Sequence, residues 1–328
     1  MATRAVISGI GHAVPERVMT NDDIAKLVDT NDAWIMQRTG IKERRVCSDS
    51  ETSSTLAIEA GREAMASAGV GPDDIDFVVV GTVTGDMIFP ATACLVQDAL
   101  GIKSAGAVDV GAACAGFIYS LSMAGAMVEA GRIKRALVIG VDTLTKVVDW
   151  TDRSTCVLFG DGAGAVVIEP KENTNRGLID TVLLSDGSGA KHINIEAGGT
   201  LHPMSRPESA CYRSTVFMAG AEVYRFAVVA MGDACCKLLD RVGLTSDDID
   251  LFVPHQANLR IIKSAAERLN LPDEKVFINV QKYGNTSGGS IPLALYEAVH
   301  EGRLKEGMLV MTVGFGAGLV WGANLTRW

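Results

Sequence analysis

The sequence contains an internal repeat, and no other feature constrains its fold as strongly. The segment DDIDFVV at residues 73–79 returns as DDIDLFV at 247–253, an offset of 174 residues. In the same order, AGRIKRALVIG at 130–140 returns as EGRLKEGMLVM at 301–311, an offset of 171 residues. Aspartate before a buried strand is common, but two matching segments at nearly equal offsets indicate a duplicated chain.

Each copy has the pattern of an α/β unit. Apolar residues at helical spacing, ended by a glycine, precede each DDID motif and predict helices over 54–69 and 221–243. Each motif then enters a short, continuous apolar run, which is typical of a strand covered on both faces. The sequence therefore predicts an α/β fold of two similar halves packed around a pseudo-twofold axis.

The repeat also divides the chain. Residues 1–170 are predicted to form the first half, with insertions near 85–95 and 145–155. Residues 171–328 are predicted to form the second half, whose helical part begins near 218. We expect a ligand to bind in the crevice between the two halves.

Composition narrows the class of function. The chain has 328 residues, of which 48% are hydrophobic and 21% charged, as expected for a globular protein with a substantial core. A net charge of −9 argues against general nucleic-acid binding. Seven cysteines without CxxC spacing, and an N-terminus without a sustained apolar leader, predict free thiols in a reducing cytoplasm.

Two other types of site are not expected. No His or Cys pairs at short spacing suggest a metal site. Two uncharged windows, 110–128 and 307–326, approach the length of a bilayer helix, but their glycines and turns predict buried core and no membrane span. The segment GIGHAV lacks the third glycine of a dinucleotide fingerprint, and the sequence has neither GxxxxGK[ST] nor GxSxG.

Cys114 stands among glycines and alanines in VDVGAACAGF, where a strand is predicted to end and an apolar helix to begin. A thiol at a helix N-terminus faces the positive end of the backbone dipole, so we expect the thiolate to be favoured. The small neighbours leave room for a substrate at the sulfur and for backbone N–H groups beside an acyl oxygen. A single cysteine is more often buried and structural, but this setting predicts a nucleophile.

The repeat pairs Cys114 with Asn285, which lies 171 residues further along. Both residues follow a predicted strand, AGAVDV and KVFINV, and both open an apolar helix. The N-termini of these two helices should therefore face a common crevice. Asn285 lies in GNTS, which also suits a turn or a helix cap.

His255 directly follows the second DDID strand, in FVPHQANLR. Its place at the end of a buried strand predicts a side chain in the crevice, although an isolated histidine is more often in a surface loop. An asparagine N–H and a neutral imidazole N–H can together stabilise an enolate oxygen. The set Cys114, His255 and Asn285 suits both thioester condensation and acyl hydrolysis, and spacing alone does not separate them.

Five segments together resemble β-ketoacyl-acyl-carrier-protein synthase III, a condensing enzyme of the thiolase fold. They run almost from end to end of the chain and in the expected order: DTNDAWIMQRTGIKERR, VDVGAACAGF, FGDGAGAVV, VPHQANLRII and YGNTSGGS. The resemblance implies a five-layered αβαβα thiolase-like fold, which agrees with the duplication. It also implies a cytoplasmic homodimer that uses no cofactor.

The resemblance implies a role for each member of the set. An acyl-CoA, with acetyl-CoA as the expected primer, would acylate Cys114 and release CoA. Malonyl-acyl carrier protein would then lose CO2, and His255 and Asn285 would hold the resulting enolate. Its carbanion would attack the acyl-cysteine and give a 3-oxoacyl carrier protein. The backbone N–H groups of Cys114 and Ala317 would form the oxyanion hole, with alanine at 317 where the family more often has glycine.

The resemblance also implies binding residues. Trp34 and Arg153 would sandwich the CoA adenine, with Arg38 near the phosphates and Asn258 at the pantetheine. Phe89 would close the acyl pocket across the homodimer interface, although simple core packing is a fair alternative for both aromatic residues.

The acidic carrier protein is expected to dock on a basic helix face. Arg260 and Arg268 lie on one predicted helical face with Lys263 beside them, whereas a solvated helix face is the alternative. Arg225 and Gln256 join this surface by resemblance. Glu267 departs from the family's basic run and stands four residues after Lys263, where it can partly neutralise it.

Several related functions are weighed against this interpretation. A thiolase would need a second cysteine in the closing GFGAG loop, and chain-elongating synthases have a second histidine where Asn285 stands. Type III polyketide synthases share the Cys–His–Asn set, but TGIKERR and HQANLR favour synthase III. Relatives also make esters, quinolones or β-lactones. A silent acyl-CoA or carrier-binding module is the alternative of a different class, and an intact nucleophile argues against it.

Overall fold

A computed structural model describes residues 3–328 and has thirteen strands and ten α-helices within that range. The strands are β1 (Arg4–Ala13), β2 (Val18–Thr20), β3 (Glu43–Arg45), β4 (Phe77–Gly81), β5 (Gly106–Val110), β6 (Ala136–Thr143), β7 (Asp161–Lys171), β8 (Gly177–Ser185), β9 (Ile193–Asn194), β10 (Phe217–Met218), β11 (Leu251–Pro254), β12 (Leu309–Gly316) and β13 (Val320–Arg327). The helices are α1 (Asn21–Ile24), α2 (Asp32–Thr39), α3 (Ser53–Ala68), α4 (Thr92–Ala99), α5 (Gly116–Glu129), α6 (Arg153–Cys156), α7 (Gly220–Val242), α8 (Leu259–Arg268), α9 (Val280–Tyr283) and α10 (Ser290–His300).

The two helices predicted before the DDID motifs are α3 and α7. Thr52 caps α3 by accepting a hydrogen bond from the Thr55 backbone N–H. Both helices end at a glycine in the left-handed region, Gly69 and Gly243, with φ of 68° and 69°. The glycine stops read from the sequence are thus confirmed.

Two sheets repeat the same strand order. The first sheet runs β1-β7-β6-β4-β5 and the second runs β8-β13-β12-β11. In both, the strand after the DDID motif pairs in parallel with the next long strand, β4 with β6 and β11 with β12. All strands of the first sheet lie before residue 172, and all strands of the second lie after residue 176.

The second sheet has one strand fewer because the predicted strand KVFINV does not form. Val276 makes only an isolated parallel bridge with Phe252, and the chain turns into α9. The Gln256 side-chain oxygen accepts the backbone N–H groups of Asn279 and Val280 there, so a side chain takes hydrogen bonds that a sheet neighbour would otherwise provide.

The elements stack in five layers, which confirms the expected αβαβα arrangement. Helices α3 and α4 pack on the outer face of the first sheet, α5 and α10 lie between the sheets, and α7 and α8 cover the second sheet. Three clusters of buried apolar side chains correspond to these interfaces. Within residues 3–328, no helix combines the length and the hydropathy needed to cross a bilayer.

Candidate active site

A cavity of about 480 Å³ lies where the N-terminal ends of α5 and α10 meet, and Cys114, His255 and Asn285 all line it. The two helices begin with short 3₁₀ turns, at Ala113–Ala115 and Ser287–Gly289. The crevice predicted from the repeat is therefore present. In the described range 3–328, no three or more His, Cys, Asp and Glu side chains are grouped as metal ligands.

Cys114 lies in the turn that opens α5, at a point of close backbone approach. A Cβ on Gly116 would lie 3.1 Å from the Gly81 backbone, and a Cβ on Gly316 would lie 2.6 Å from the Cys114 nitrogen. Glycine is needed at both positions because a side chain would force these segments apart. The residue before the cysteine, Ala113, has φ of 45°, a region that non-glycine residues seldom adopt.

The expectation that the thiolate is favoured at Cys114 is wrong for the free protein. Burial, with a smaller contribution from the nearby Asp142 charge, raises the pKa of the Cys114 thiol to about 12 against the opposing effect of the Ser287 hydroxyl. Desolvation of the charged sulfur therefore outweighs the helix N-terminus. The thiol is protonated at neutral pH, so it must lose a proton when it reacts.

His255 is held rigidly at the end of β11. Its backbone N–H donates to the Val313 carbonyl over 2.7 Å, and its Nδ1 forms a 2.6 Å hydrogen bond with Ser290 Oγ. The Phe315 ring meets the imidazole edge-on, with the centroids 5.8 Å apart. Burial lowers the pKa of His255 to about 3, so the imidazole is neutral at physiological pH.

Asn285 is fixed through both its backbone and its side chain. Its Oδ1 accepts the Ser287 backbone N–H over 2.8 Å, which leaves the amide NH2 group as a donor for a ligand. Its backbone N–H donates to the Leu158 carbonyl, and its carbonyl accepts the Gly160 N–H. These bonds tie the turn before α10, in the second half, to residues 158–160 of the first half.

Ala317 lies in the turn between β12 and β13 and lines the cavity beside Gly316. The predicted turn in GFGAG is therefore confirmed, since Gly316 pairs with Val320 across it. A Cβ on Gly316 would meet the Cys114 nitrogen, so the turn packs closely against the backbone of the cysteine. Alanine at 317 retains the backbone donor.

The predicted CoA contacts Trp34, Arg38 and Arg153 lie together on the wall of the same cavity. The guanidinium carbons of Arg153 and Arg38 lie 4.9 Å and 5.4 Å from the Trp34 ring centroid. Arg153 is held in place by a 2.7 Å hydrogen bond to the Asp29 carbonyl. Trp34 is half-buried and lines the cavity with both arginines, so it forms a planar binding surface and is not deep core.

Asn258 also lines the cavity, but its amide is already engaged within the chain. Its Oδ1 accepts the Arg260 backbone N–H as the N-cap of α8, and its Nδ2 donates to the Arg38 carbonyl over 3.1 Å. Asn258 therefore links α8 to the end of α2, where Arg38 is located. A contact with pantetheine would add to this role.

Phe89 does not line the cavity of its own chain. It is 83% exposed, and its neighbours Ile88 and Met87 are 85% and 52% exposed. These three residues form an apolar tip in the connection between β4 and α4. The single chain therefore excludes simple core packing for Phe89.

Two of the predicted docking arginines have acidic partners. Arg225 on α7 lies 3.0 Å from Glu222, and Arg268 at the end of α8 lies 2.8 Å from Asp233. Both arginines are exposed, so these ion pairs are weak individually. Each acid nevertheless reduces the positive charge offered to a partner.

Arg260 and Lys263 are the exposed cations of α8 that make no ion pair within residues 3–328. The Arg260 guanidinium carbon lies 5.0 Å from the centroid of the Tyr224 ring, which orients it beside the cavity that Tyr224 lines. Glu267 is exposed on the same helix.

Gln256 does not belong to the docking surface. It is 1% exposed, and its amide donates to the Pro254 and Phe277 carbonyls while accepting two backbone N–H groups. A fully hydrogen-bonded, buried side chain has no group left for a partner protein. The assignment of Gln256 to the docking surface, made by resemblance, is therefore wrong.

Four residues near the reactive groups have no predicted role in the sequence. Ser290 contacts the His255 ring, Phe315 packs against that ring, and Ser287 and Asp142 lie beside Cys114. The signal for the serines was present in YGNTSGGS, where hydroxyl side chains surround Asn285 as an apolar helix begins. Asp142 had no such signal, because its partners are distant in the chain.

Comparison with known proteins gives consistent matches over both halves. A family model described as 3-Oxoacyl-[acyl-carrier-protein (ACP)] synthase III matches residues 108–187, and the model for the C terminal of the same synthase matches residues 239–328. The Beta-ketoacyl-[acyl-carrier-protein] synthase III of Symbiobacterium thermophilum is 53% identical over 322 residues, which are 98% of this chain and 97% of that protein.

Solved structures agree with this result. The 3-oxoacyl-[acyl-carrier-protein] synthase III from Aquifex aeolicus VF5 superposes with a TM-score of 0.92 at 43% identity, covering 99% of this chain and 100% of that one. The synthase III from Thermus thermophilus gives a TM-score of 0.91 at 47% identity, with 98% of each chain covered. The similarity thus extends well beyond the five motifs.

Proposed function

This chain belongs to the 3-oxoacyl-[acyl-carrier-protein] synthase III family, and from that membership we propose a role for each residue of its cavity. The enzyme catalyses the initiating condensation of fatty acid synthesis, from an acyl-CoA and malonyl-acyl carrier protein. The observation that carries the residue roles is that Cys114, His255 and Asn285 line one cavity together with Trp34 and Arg153.

In the first half-reaction, the Cys114 sulfur attacks the thioester carbonyl of the acyl-CoA. The C–S bond to CoA breaks, CoA leaves as a thiol, and the acyl group remains on Cys114. The negative charge on the carbonyl oxygen is stabilised by the backbone N–H groups of Cys114 and Ala317. The close packing of Gly316 against the Cys114 backbone supports this pair of donors.

In the second half-reaction, malonyl-acyl carrier protein loses CO2, and the electrons of the broken C–C bond move into the thioester enolate. His255 and Asn285 each donate one N–H to the enolate oxygen. A neutral imidazole suits this role, and burial keeps His255 neutral. If Ser290 donates its O–H to Nδ1, the ring proton is on Nε2 and faces the substrate. The carbanion then attacks acyl-Cys114 and releases the 3-oxoacyl carrier protein.

The test of this proposal is the intact mass of the protein after incubation with a panel of acyl-CoAs, with acetyl-CoA as the proposed primer. We expect one acyl group per chain, located by peptide mapping at Cys114. Subsequent addition of malonyl-acyl carrier protein should discharge it as a 3-oxoacyl carrier protein. Absence of any acyl label, or a label at another cysteine, would contradict the assignment.

Loss of the Trp34 ring should weaken acyl-CoA binding. We expect Trp34→Ala to raise KM for acyl-CoA about tenfold with little change in kcat, because stacking of a base on an aromatic ring is worth roughly 1–3 kcal/mol. Steady-state kinetics with acyl-CoA measures this change. The matched control is the same acyl group on N-acetylcysteamine, which lacks the adenine and should show equal KM in both proteins; a parallel rise would contradict stacking.

Carrier-protein docking is proposed to depend on Arg260 and Lys263. Arg225 and Arg268 contribute less because each already forms an ion pair with an acidic side chain of the same chain. We expect Arg260→Glu to raise KM for malonyl-acyl carrier protein by about tenfold or more at low salt, and Glu267→Lys to lower it about threefold. Steady-state kinetics at several salt concentrations give KM for malonyl-acyl carrier protein in each variant.

Lys134→Glu is the control for this charge change. Lys134 is an exposed cation two residues before β6, at the end of the strand opposite the cavity. It should leave KM for the carrier protein unchanged. Equal effects of Lys134→Glu and Arg260→Glu would show that net charge, and no specific surface, governs the encounter.

We also propose a cytoplasmic homodimer that needs no cofactor. Seven free cysteines support a reducing compartment.

The exposed apolar side chains of Met87, Ile88 and Phe89 support an interface in which Phe89 closes the acyl pocket of the partner subunit. Analytical ultracentrifugation of wild type and Phe89→Asp, with acyl-CoA preference measured on the same samples, tests this arrangement.

A further inference from the structure

The Ser290 hydroxyl is the only polar side-chain group that contacts the His255 ring within residues 3–328. Ser290 is the first residue of α10, and it is buried, as His255 is. Its Oγ lies 2.6 Å from His255 Nδ1 and accepts the Gln256 backbone N–H over 3.4 Å. Oγ has no third hydrogen-bond partner in this part of the chain. The Nδ1 side of the imidazole therefore depends on one hydroxyl.

Counting donors and acceptors decides where the ring proton of His255 lies. A hydroxyl has one proton to donate and two lone pairs with which to accept. If Nδ1 were protonated, Nδ1 and the Gln256 N–H would both donate to Ser290 Oγ, and the hydroxyl proton would have no acceptor. If Nδ1 is unprotonated, it accepts the hydroxyl proton and all three groups have partners. A buried donor without an acceptor is costly, so the count favours the proton on Nε2.

The place of Ser290 at the start of a helix favours the same position of the proton. Helix α10 has 11 residues, and the unpaired N–H groups of its first turn carry a partial positive charge. His255 Nδ1 lies beside this end of the helix, 2.6 Å from the hydroxyl of its first residue. A lone pair on Nδ1 is stabilised by the positive charge, whereas an N–H at Nδ1 would be repelled by it. The helix charge therefore supports the result of the hydrogen-bond count.

The surroundings of the imidazole also fix which nitrogen is left for a ligand. The His255 backbone N–H is bonded to the Val313 carbonyl, and the Phe315 ring meets the imidazole at an angle of 66°. Rotation of the imidazole by a half turn would replace Nδ1 with a carbon and leave the Ser290 hydroxyl without an acceptor. His255 lines the cavity, and its Nε2 has no hydrogen-bond partner in the described range 3–328. Nε2 is therefore the nitrogen available to a substrate.

We propose that Ser290 is a positioning residue that selects the tautomer of His255 required for decarboxylation. By donating its O–H to Nδ1, Ser290 keeps the single ring proton on Nε2, where it is donated to the enolate oxygen. The imidazole neither gains nor loses a proton in this step. Its N–H···O hydrogen bond becomes stronger as the electrons of the broken C–C bond place negative charge on the oxygen. Ser290 touches no substrate atom and acts only through His255.

This inference rests on the proposed role of His255 in the second half-reaction. In Ser290→Ala, Nδ1 loses its donor, so both tautomers become populated and only one of them can donate from Nε2. We expect release of CO2 from malonyl-acyl carrier protein to fall about tenfold, with its KM within about twofold of wild type. Acylation of Cys114 should proceed near the wild-type rate, because the enolate has not yet formed.

The tautomer itself can be measured by 15N NMR of the full chain, labelled at its five histidines. His255→Ala identifies the signals that belong to His255. The wild type should show an unprotonated Nδ1 and a protonated Nε2 at neutral pH, whereas Ser290→Ala should show a mixture of the two tautomers. The matched control is Ser120→Ala on α5, because Ser120 is buried and its hydroxyl has no partner within residues 3–328. It should leave the His255 signals and both rates unchanged.

A double variant distinguishes tautomer selection from a loosened start of α10. The turn that precedes α10 also carries Asn285, so a purely structural effect of Ser290→Ala would displace that residue as well. If Ser290 acts only through the imidazole, adding Ser290→Ala to His255→Ala should cause no further loss of CO2 release. A displaced Asn285 would lower the rate of the double variant below that of His255→Ala.

A proton on Nδ1 of the wild type, in whole or in part, would overturn the proposal even if no variant folds. Unchanged His255 signals in Ser290→Ala, or an additional loss in the double variant, would overturn it as well. A wild type that takes no acyl group from any acyl-CoA would instead overturn the proposed function. In that case the NMR spectra of the unliganded wild type and Ser290→Ala still test the selection of the tautomer.

Discussion

Cys114→Ala is expected to abolish acyl transfer and condensation, with a loss of at least about 10⁴-fold in kcat. The sulfur is the group on which the acyl chain is carried, and no other cysteine lines the cavity within residues 3–328. Alanine leaves the turn Ala113–Ala115 and the helix α5 unchanged, since small residues already surround the site. Intact mass after incubation with acyl-CoA and quantification of the 3-oxoacyl carrier protein measure the effect.

The decarboxylation of malonyl-acyl carrier protein should persist in Cys114→Ala, because His255 and Asn285 remain in place. Cys94→Ala is the matched control: Cys94 is a half-buried thiol on α4 away from the cavity, and its loss should leave both half-reactions unchanged. Acylation that survived in Cys114→Ala would place the acyl group on another residue and remove the basis of the mechanism.

His255→Ala is expected to reduce decarboxylation and condensation about 10²- to 10³-fold while acylation of Cys114 proceeds near the wild-type rate. The imidazole donates to the enolate oxygen, a charge that appears only after malonyl-acyl carrier protein loses CO2. Its removal therefore affects the second half-reaction alone. Single-turnover acylation and CO2 release, measured on the same preparation, give the two rates.

His300→Ala is the control for this substitution, because His300 lies exposed at the far end of α10, whose first turn follows Asn285. It should behave as wild type in both assays. The pH profile gives a second check. Burial holds the pKa of His255 at about 3, so the imidazole is neutral above that pH and decarboxylation should show no inflection near the ordinary histidine value. An inflection near pH 6.5 in wild type that disappears in His255→Ala would contradict a buried, neutral imidazole.

Elements with a strong local pattern could be predicted well. Helices α3 and α7 match the predicted spans to within one residue at each end, because apolar spacing and a terminal glycine are properties of a short segment. The strand order that repeats in the two sheets follows from the duplicated DDID motifs. The predicted insertion near 85–95 overlaps the exposed connection that carries Phe89, but its last residues already belong to α4.

Elements that depend on distant partners could not be predicted. The strand expected at KVFINV is replaced by a single bridge, since the Gln256 side chain takes up the backbone N–H groups of Asn279 and Val280. The short ribbon of β9 and β10 pairs segments separated by more than twenty residues of irregular chain. Neither pairing leaves a periodic signal in the sequence.

The sequence by itself determined that the chain is duplicated, that Cys114 and Asn285 occupy equivalent helix starts, and that His255 follows a buried strand. These conclusions depend on residue order and spacing. Only the tertiary structure decided the direction in which burial shifts the pKa of Cys114 and of His255, the burial of Gln256 and the placement of Ser290 against the His255 ring. The physical reason is that a pKa and a burial depend on every group packed around an atom, and those groups come from both halves of the chain.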